Sequence, residues 1–74
     1  SATVSIEAPM PGKIIEIMVE EGGEVKEGEP IVILEAMKMQ NEITSHIAGT
    51  VTAISVKKNE TVMKDDVLIE IQKS

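Results

Sequence analysis

Short runs of alternating apolar and polar residues follow one another along this chain, and turn-forming residues punctuate them every few positions. Ile15, Ile17 and Val19 alternate with Glu16 and Met18, and Thr52, Ile54 and Val56 alternate with Ala53 and Ser55. A period of two puts one face toward a core and the other toward solvent. Strands are predicted near 3–7, 13–19, 24–26, 31–36, 40–45, 50–56, 61–63 and 67–72. Pro9, Pro11 and Pro30 fall between strands or at a strand start, where a missing N–H is tolerated. Many short strands between turn signals predict an all-β sandwich or barrel.

The chain also repeats itself. Displaced by 37 residues it aligns without a gap, "PGKIIEIMVEEGGEVKEG" falling on "AGTVTAISVKKNETVMKD". Ile14, Ile17, Val19 and Val25 match Val51, Ile54, Val56 and Val62, and Val32 and Leu34 match Ile69 and Ile71. Gly22-Gly23 matches Asn59-Glu60 and Gly28 matches Asp65. These exchanges are turn chemistry, because Gly, Asn and Asp tolerate positive φ. The repeat predicts two antiparallel sheets about a pseudo-twofold axis, since neither half buries its apolar face alone. The offset is half the 74-residue length, so Lys38 lies at the junction of the copies. The pseudo-dyad then puts the Lys38 turn at one end of the domain and both termini at the other, so that a group attached to Lys38 points away from a parent chain.

Composition narrows the possibilities. The length suits one domain, residues 1–74, with a modest core. No Phe, Trp, Tyr or Cys is present, so the core is aliphatic and no disulfide or cysteine metal site staples it. The net charge is −6, and all seven basic residues are lysines. Phosphate recognition needs a basic face and base stacking needs aromatics, which argues against a nucleic-acid partner. No apolar run approaches the length of a membrane span and no signal-peptide pattern precedes the fold, so no direct membrane insertion is expected. The start at Ser1 without Met suggests processing or a piece of a longer chain.

Enzyme chemistry finds little support. His46 is the only histidine, no nucleophile-elbow serine is present, and zinc sites need three or four ligands. "EEGGE" and "KDD" match no calcium-loop spacing. The glutamates around Gly22-Gly23 would repel phosphate. The expectation is no catalytic residue and no metal.

One stretch resists this plain reading. Ala36, Met37, Lys38, Met39 and Gln40 are all good helix formers. The run is too short to nucleate a helix, and the flanks "IVILE" and "NEITS" read as strands, so a hairpin tip at Met37-Lys38 is predicted. Such tips favour Asn-Gly or Asp-Gly. Two large apolar side chains there instead break a local rule, as functional sites do. Two readings stay open on the residues alone: a solvated lysine with gap-filling methionines, or a site.

"EAMKM", residues 35–39, resembles the attachment motif of biotinyl domains, the biotin carboxyl carrier modules of biotin-dependent carboxylases and decarboxylases. "APMPGKI", residues 8–14, and "GEVKEGEPIVILEAMKM" continue the resemblance, which runs from about Ile6 to Ile71. It implies a flattened barrel or sandwich of two four-stranded antiparallel sheets, with the attachment lysine on a hairpin turn. Some carriers insert a thumb between the second and third strands; the short "EEGGE" predicts none here. Lipoyl domains share the fold and are the alternative, but they usually carry Asp-Lys-Ala where this chain has Met37-Lys38-Met39.

The resemblance further implies a non-catalytic carrier, a fragment of or subunit in a larger carboxylase. Lys38 is then the amine that biotin protein ligase joins covalently to biotin, within a recognition motif of Glu35, Ala36, Met37 and Met39. The swinging biotin arm carries an activated carboxyl group from a biotin carboxylase site to a carboxyltransferase site, on partner domains or subunits. The expected location is cytoplasmic, or the mitochondrial matrix in a eukaryote.

Overall fold

The computed structural model describes residues 2–74; the N-terminal Ser1 lies outside them. Among these residues eight strands form: β1 (Thr3–Glu7), β2 (Gly12–Ile17), β3 (Glu24–Val25), β4 (Pro30–Ala36), β5 (Met39–Thr44), β6 (Gly49–Ile54), β7 (Thr61–Val62) and β8 (Val67–Lys73). They build two antiparallel four-stranded sheets, ordered β1-β8-β6-β3 and β5-β4-β2-β7. The described body is elongated, 36 × 17 × 17 Å. The six residues joining β2 to β3 make only a tight turn, closed by the Gly23 N–H on the Glu20 carbonyl at 3.0 Å, so the expected absence of a thumb holds.

The repeat is structural. A shift of 37 carries β2, β3 and β4 onto β6, β7 and β8 residue for residue, with β8's bounds reproducing β4's. The hydrogen bonds between segments repeat as well. Gly22 N–H donates to the Val51 carbonyl at 2.8 Å, and its counterpart Asn59 N–H donates to the Ile14 carbonyl at 2.7 Å. Gly28 N–H reaches the Ser45 carbonyl at 2.7 Å, and Asp65 N–H reaches Ala8 at 2.8 Å. The exchanged turn residues share the left-handed conformation, with φ of 86° and 74° at Gly22 and Asn59, and 87° and 74° at Gly28 and Asp65. This explains why the repeat tolerates Gly-to-Asn and Gly-to-Asp exchange but would resist a β-branched residue.

Each sheet takes its inner strands from one half of the chain and its outer strands from the other. β8 and β6 are flanked by β1 and β3; β4 and β2 are flanked by β5 and β7. Between the sheets lies the aliphatic core, and matched residues fill it. Ile14 and Val51, Val25 and Val62, Val32 and Ile69, Leu34 and Ile71 are all buried.

Strict alternation does not survive in β2 and β6. The register slips between Ile14 and Glu16 and between Val51 and Ala53. Ile15 and Thr52, which a period of two groups with Ile17 and Ile54, are the extra residues of β-bulges, and Ile14 and Val51 take the inward positions. Matching slips pass over Ile31 and Leu68. A bulge adds an unpaired residue and turns the strand locally. Here it lets two successive residues, Ile31-Val32 and Leu68-Ile69, be fully buried. It also leaves the Ile31 and Leu68 carbonyls free to accept the Met18 and Ser55 N–H groups, both at 2.8 Å. Those bonds lie outside the ladders, which is why β2 and β6 stop two residues short of the predicted ends.

Gly12 and its counterpart Gly49 sit where backbones approach most closely. A Cβ on Gly12 would lie 2.5 Å from the Glu35 carbonyl oxygen and 3.0 Å from Leu34 Cδ1; one on Gly49 would strike the Gln72 carbonyl and the Ile71 side chain. Gly22 has open space around it, and only its φ disfavours a side chain. Gly12→Ala is therefore expected to destabilise the domain by about 1–3 kcal/mol, the usual range for overpacking. Gly22→Ala should cost about 1 kcal/mol, from backbone conformation alone. Urea midpoints of the two variants check this ordering, and equal midpoints would refute the close-approach explanation.

Candidate functional site at the Met37-Lys38 turn

β4 and β5 form a hairpin whose ladder runs from Pro30 opposite Thr44 to Ala36 opposite Met39. Two residues, Met37 and Lys38, are left to reverse the chain. Both have positive φ, 53° and 63°. That is the type I′ arrangement, whose twist matches that of the flanking strands and which normally selects Asn-Gly. Local helix propensity is overridden because the ladder on both sides is cooperative, whereas one helical turn would have to nucleate alone. An L-residue with a long side chain in this region costs roughly 1–2 kcal/mol. The hairpin tip therefore stores backbone strain at the one place where the sequence departs from turn chemistry.

The pleat separates the five residues of "EAMKM". Ala36 points inward and is buried, at 7% exposure. Glu35 faces outward and is exposed, between Lys13 on β2 and Gln40 on β5. Lys38 is exposed at the apex. Met37 is 90% exposed and Met39 64%. Those exposures decide between the two readings of the methionines, because a core filler would be covered.

Two residues outside the predicted motif support the tip. Asn41 sits half-buried opposite Leu34, and its side-chain amide lies 3.4 Å from the Leu34 carbonyl and 3.3 Å from the Met39 carbonyl, spanning the base of the hairpin. Gly12 lies against the last residues of β4, allowing β2 to pack closely beneath the turn. The pairing of Asn41 with Leu34 is long-range information, so only its position in "MQNEIT" was visible beforehand.

Register also fixes which end of the body this is. β2 starts at Gly12, beside Val62 and the end of β4, and the loops at Ala8–Pro11 and Met63–Asp66 flank it, joined by the Asp65-to-Ala8 bond. At the other end of β4, Pro30 and Thr44 adjoin the Lys26–Glu29 and Ser45–Ala48 loops. There Val25 pairs with Gly49 and Gly49 with Lys73, while Lys73 N–H donates to the Ala2 carbonyl at 2.9 Å. The described termini thus meet at the end opposite Lys38, as the repeat predicts. His46 lies exposed at that far end. No cavity opens and no group of three metal-ligating side chains forms among the described residues.

The described residues thus form an all-β double sheet with an exposed lysine at a hairpin apex, and comparison with known proteins assigns the chain to a family. The family profile described as "Biotin-requiring enzyme" matches residues 4–71. The chain belongs to this family. It is 51% identical over 71 residues to the biotin carboxyl carrier protein of Streptococcus mutans, spanning 96% of this chain and 55% of that protein. It is 46% identical over 67 residues to human mitochondrial pyruvate carboxylase, of which it spans 6%. The chain thus spans about half the length of the carrier protein and a small fraction of the carboxylase. Its backbone superposes on part of a single-chain, multi-domain long-chain acyl-CoA carboxylase with a TM-score of 0.91 at 26% identity, covering 97% of this chain and 7% of that one.

Replacing Met37-Lys38 by Asn-Gly should relieve the strain and raise stability by about 1–2 kcal/mol, which for a domain of this size is a Tm increase of roughly 4–16 °C. Met37→Gln combined with Met39→Gln should change stability by less than about 0.5 kcal/mol, since exposed side chains contribute little. Thermal unfolding followed by circular dichroism checks both, and a large loss on the glutamine replacements would mean that the methionines pack the core.

Proposed function

We propose that this chain is a biotin carboxyl carrier domain, loaded on the Lys38 ε-amine, which serves a biotin-dependent carboxylase or decarboxylase as a non-catalytic part. The observation that carries this is the position of Lys38. It is the apex residue of a strained hairpin, exposed, and at the end remote from the termini. Covalent attachment of biotin needs a reachable primary amine with room around it, and the turn offers both. The carboxylase relatives, matched over nine-tenths of this chain, support biotin over a lipoyl group.

When bound, biotin supplies a ureido nitrogen that takes up and gives up a carboxyl group. The chain's own residues do the positioning. The β4–β5 ladder and the Asn41 contacts brace the turn, and the lysine side chain and whatever it bears project beyond it. Acylation converts the Lys38 ammonium to a neutral amide and leaves the ladder untouched, because no strand pairing uses that side chain. A ligase and the two carboxylase sites would each receive the same apex, with Met37 and Met39 as adaptable apolar contacts. A parent chain attached at the far end leaves this apex free, and tethering raises the local concentration of the arm at each site.

Co-expression with a biotin protein ligase and free biotin tests the reading. The expected product gains the mass of one biotin, mapped to Lys38. Lys38→Arg should keep the melting temperature and lose all labelling. Labelling at another lysine, or a lipoyl mass in cells that make both groups, would overturn it.

A further inference from the structure

Oxidisable side chains are unevenly placed in this protein. It has no Cys, Trp or Tyr, so its five methionines are its only sulfur groups. Four of them gather toward the Lys38 end. Met37 and Met39 flank the lysine, Met10 precedes Gly12 by two residues, and Met63 follows Val62, the strand partner of Gly12. The repeat supplies an internal comparison. At the far end the positions equivalent to Met10 and Met63 are Ile47 and Lys26, so the fold does not require methionine there. Exposure then ranks the sulfurs. Met37 stands at 90%, Met39 at 64%, Met63 at 62% and Met18 at 42%, while Met10 is half-buried and packed against the core.

We propose that Met37 and Met39 are a reversible oxidation site, and that their conversion to sulfoxides by hydrogen peroxide blocks loading of Lys38 without unfolding the domain. The loading half of this rests on the function proposed above; the oxidation half does not. In the step, the thioether sulfur attacks one peroxide oxygen. The S–O bond forms, the O–O bond breaks, and the departing hydroxide takes the proton from the new S–OH group, leaving the sulfoxide and one water. Sulfur loses two electrons and peroxide gains them. Accessibility governs methionine oxidation, and each sulfoxide epimer has its own reductase.

The consequence follows from position. Neither side chain fills the core, so a polar oxygen on either costs the fold little. Each borders the acceptor lysine directly in sequence, and the turn points Met37 into solvent beside it. A docking protein that covers the apex must then bury a strong acceptor where it met a thioether. One polar group left unpaired at an interface lowers affinity by roughly tenfold or more.

The test starts from the unmodified, unloaded domain. Treatment with graded hydrogen peroxide and peptide mapping should show Met37 converting fastest and Met10 slowest. Domain oxidised at Met37 and Met39 should load with biotin at least roughly tenfold more slowly under a biotin protein ligase, with an unchanged circular dichroism spectrum. Treatment with both methionine sulfoxide reductases should restore the rate. In Met18→Leu/Met63→Leu the peroxide effect should persist. In Met37→Leu/Met39→Leu the ratio of treated to untreated rates should return to one, whatever the absolute rate. Uniform oxidation of all five methionines, or an oxidised domain that loads at the untreated rate, would overturn the proposal. If the untreated domain fails to load, the carrier reading fails instead, and the mapping still decides the order of oxidation.

Discussion

Hydrogen bonds that cross between the two halves of the chain hold the rest of the structure in place. Each sheet has an inner pair of strands from one half and outer strands from the other. The two-residue strands β3 and β7 illustrate the dependence, since neither has a ladder except on the opposite half, with β6 and with β2. A separated half would expose both its apolar face and unpaired backbone groups, each of which is costly. Folding of one half is therefore folding of both, and the pseudo-dyad is a consequence of that exchange.

The same exchange explains how a small domain without aromatic residues assembles an apolar interior. Large rings normally supply much of the buried area in a core. Here branched aliphatic side chains do so, and the bulges at Ile31 and Leu68 add a pair of fully buried side chains that strict alternation would have turned outward. Glycines at 12 and 49 then let backbones close over the ends of the core. Such a rigid body can hold the Met37-Lys38 turn in a conformation the residues themselves do not favour. Strain of this kind persists only where the surroundings over-determine it, and six paired positions below the turn do so.

Symmetry and its breaking divide the labour between the ends. By the 37-residue shift, the equivalent of the hairpin apex is the point where the chain termini meet. One end is therefore closed covalently and presents a lysine between two exposed methionines, while the other carries the connection to any longer chain. The charge pattern is compatible with this arrangement. The acidic surface discourages polyanion binding, and three of the four exposed large apolar side chains, Met37, Met39 and Met63, lie toward the apex.

The eight strands, the 37-residue duplication, the left-handed turn positions and the prominence of Lys38 were all legible in the sequence, because each is a local or periodic signal. Alternation reports a strand, glycine exchanging with Asn or Asp reports positive φ, and an unexpected Met-Lys at a turn reports a broken rule. The tertiary structure alone decided which strands pair across the halves, where the bulges fall, that Ile14 and not Ile15 faces inward, and that Asn41 and Gly12 support the tip. Those depend on hydrogen bonds and close packing between residues tens of positions apart, and a periodicity confined to one strand carries no record of its partner's register.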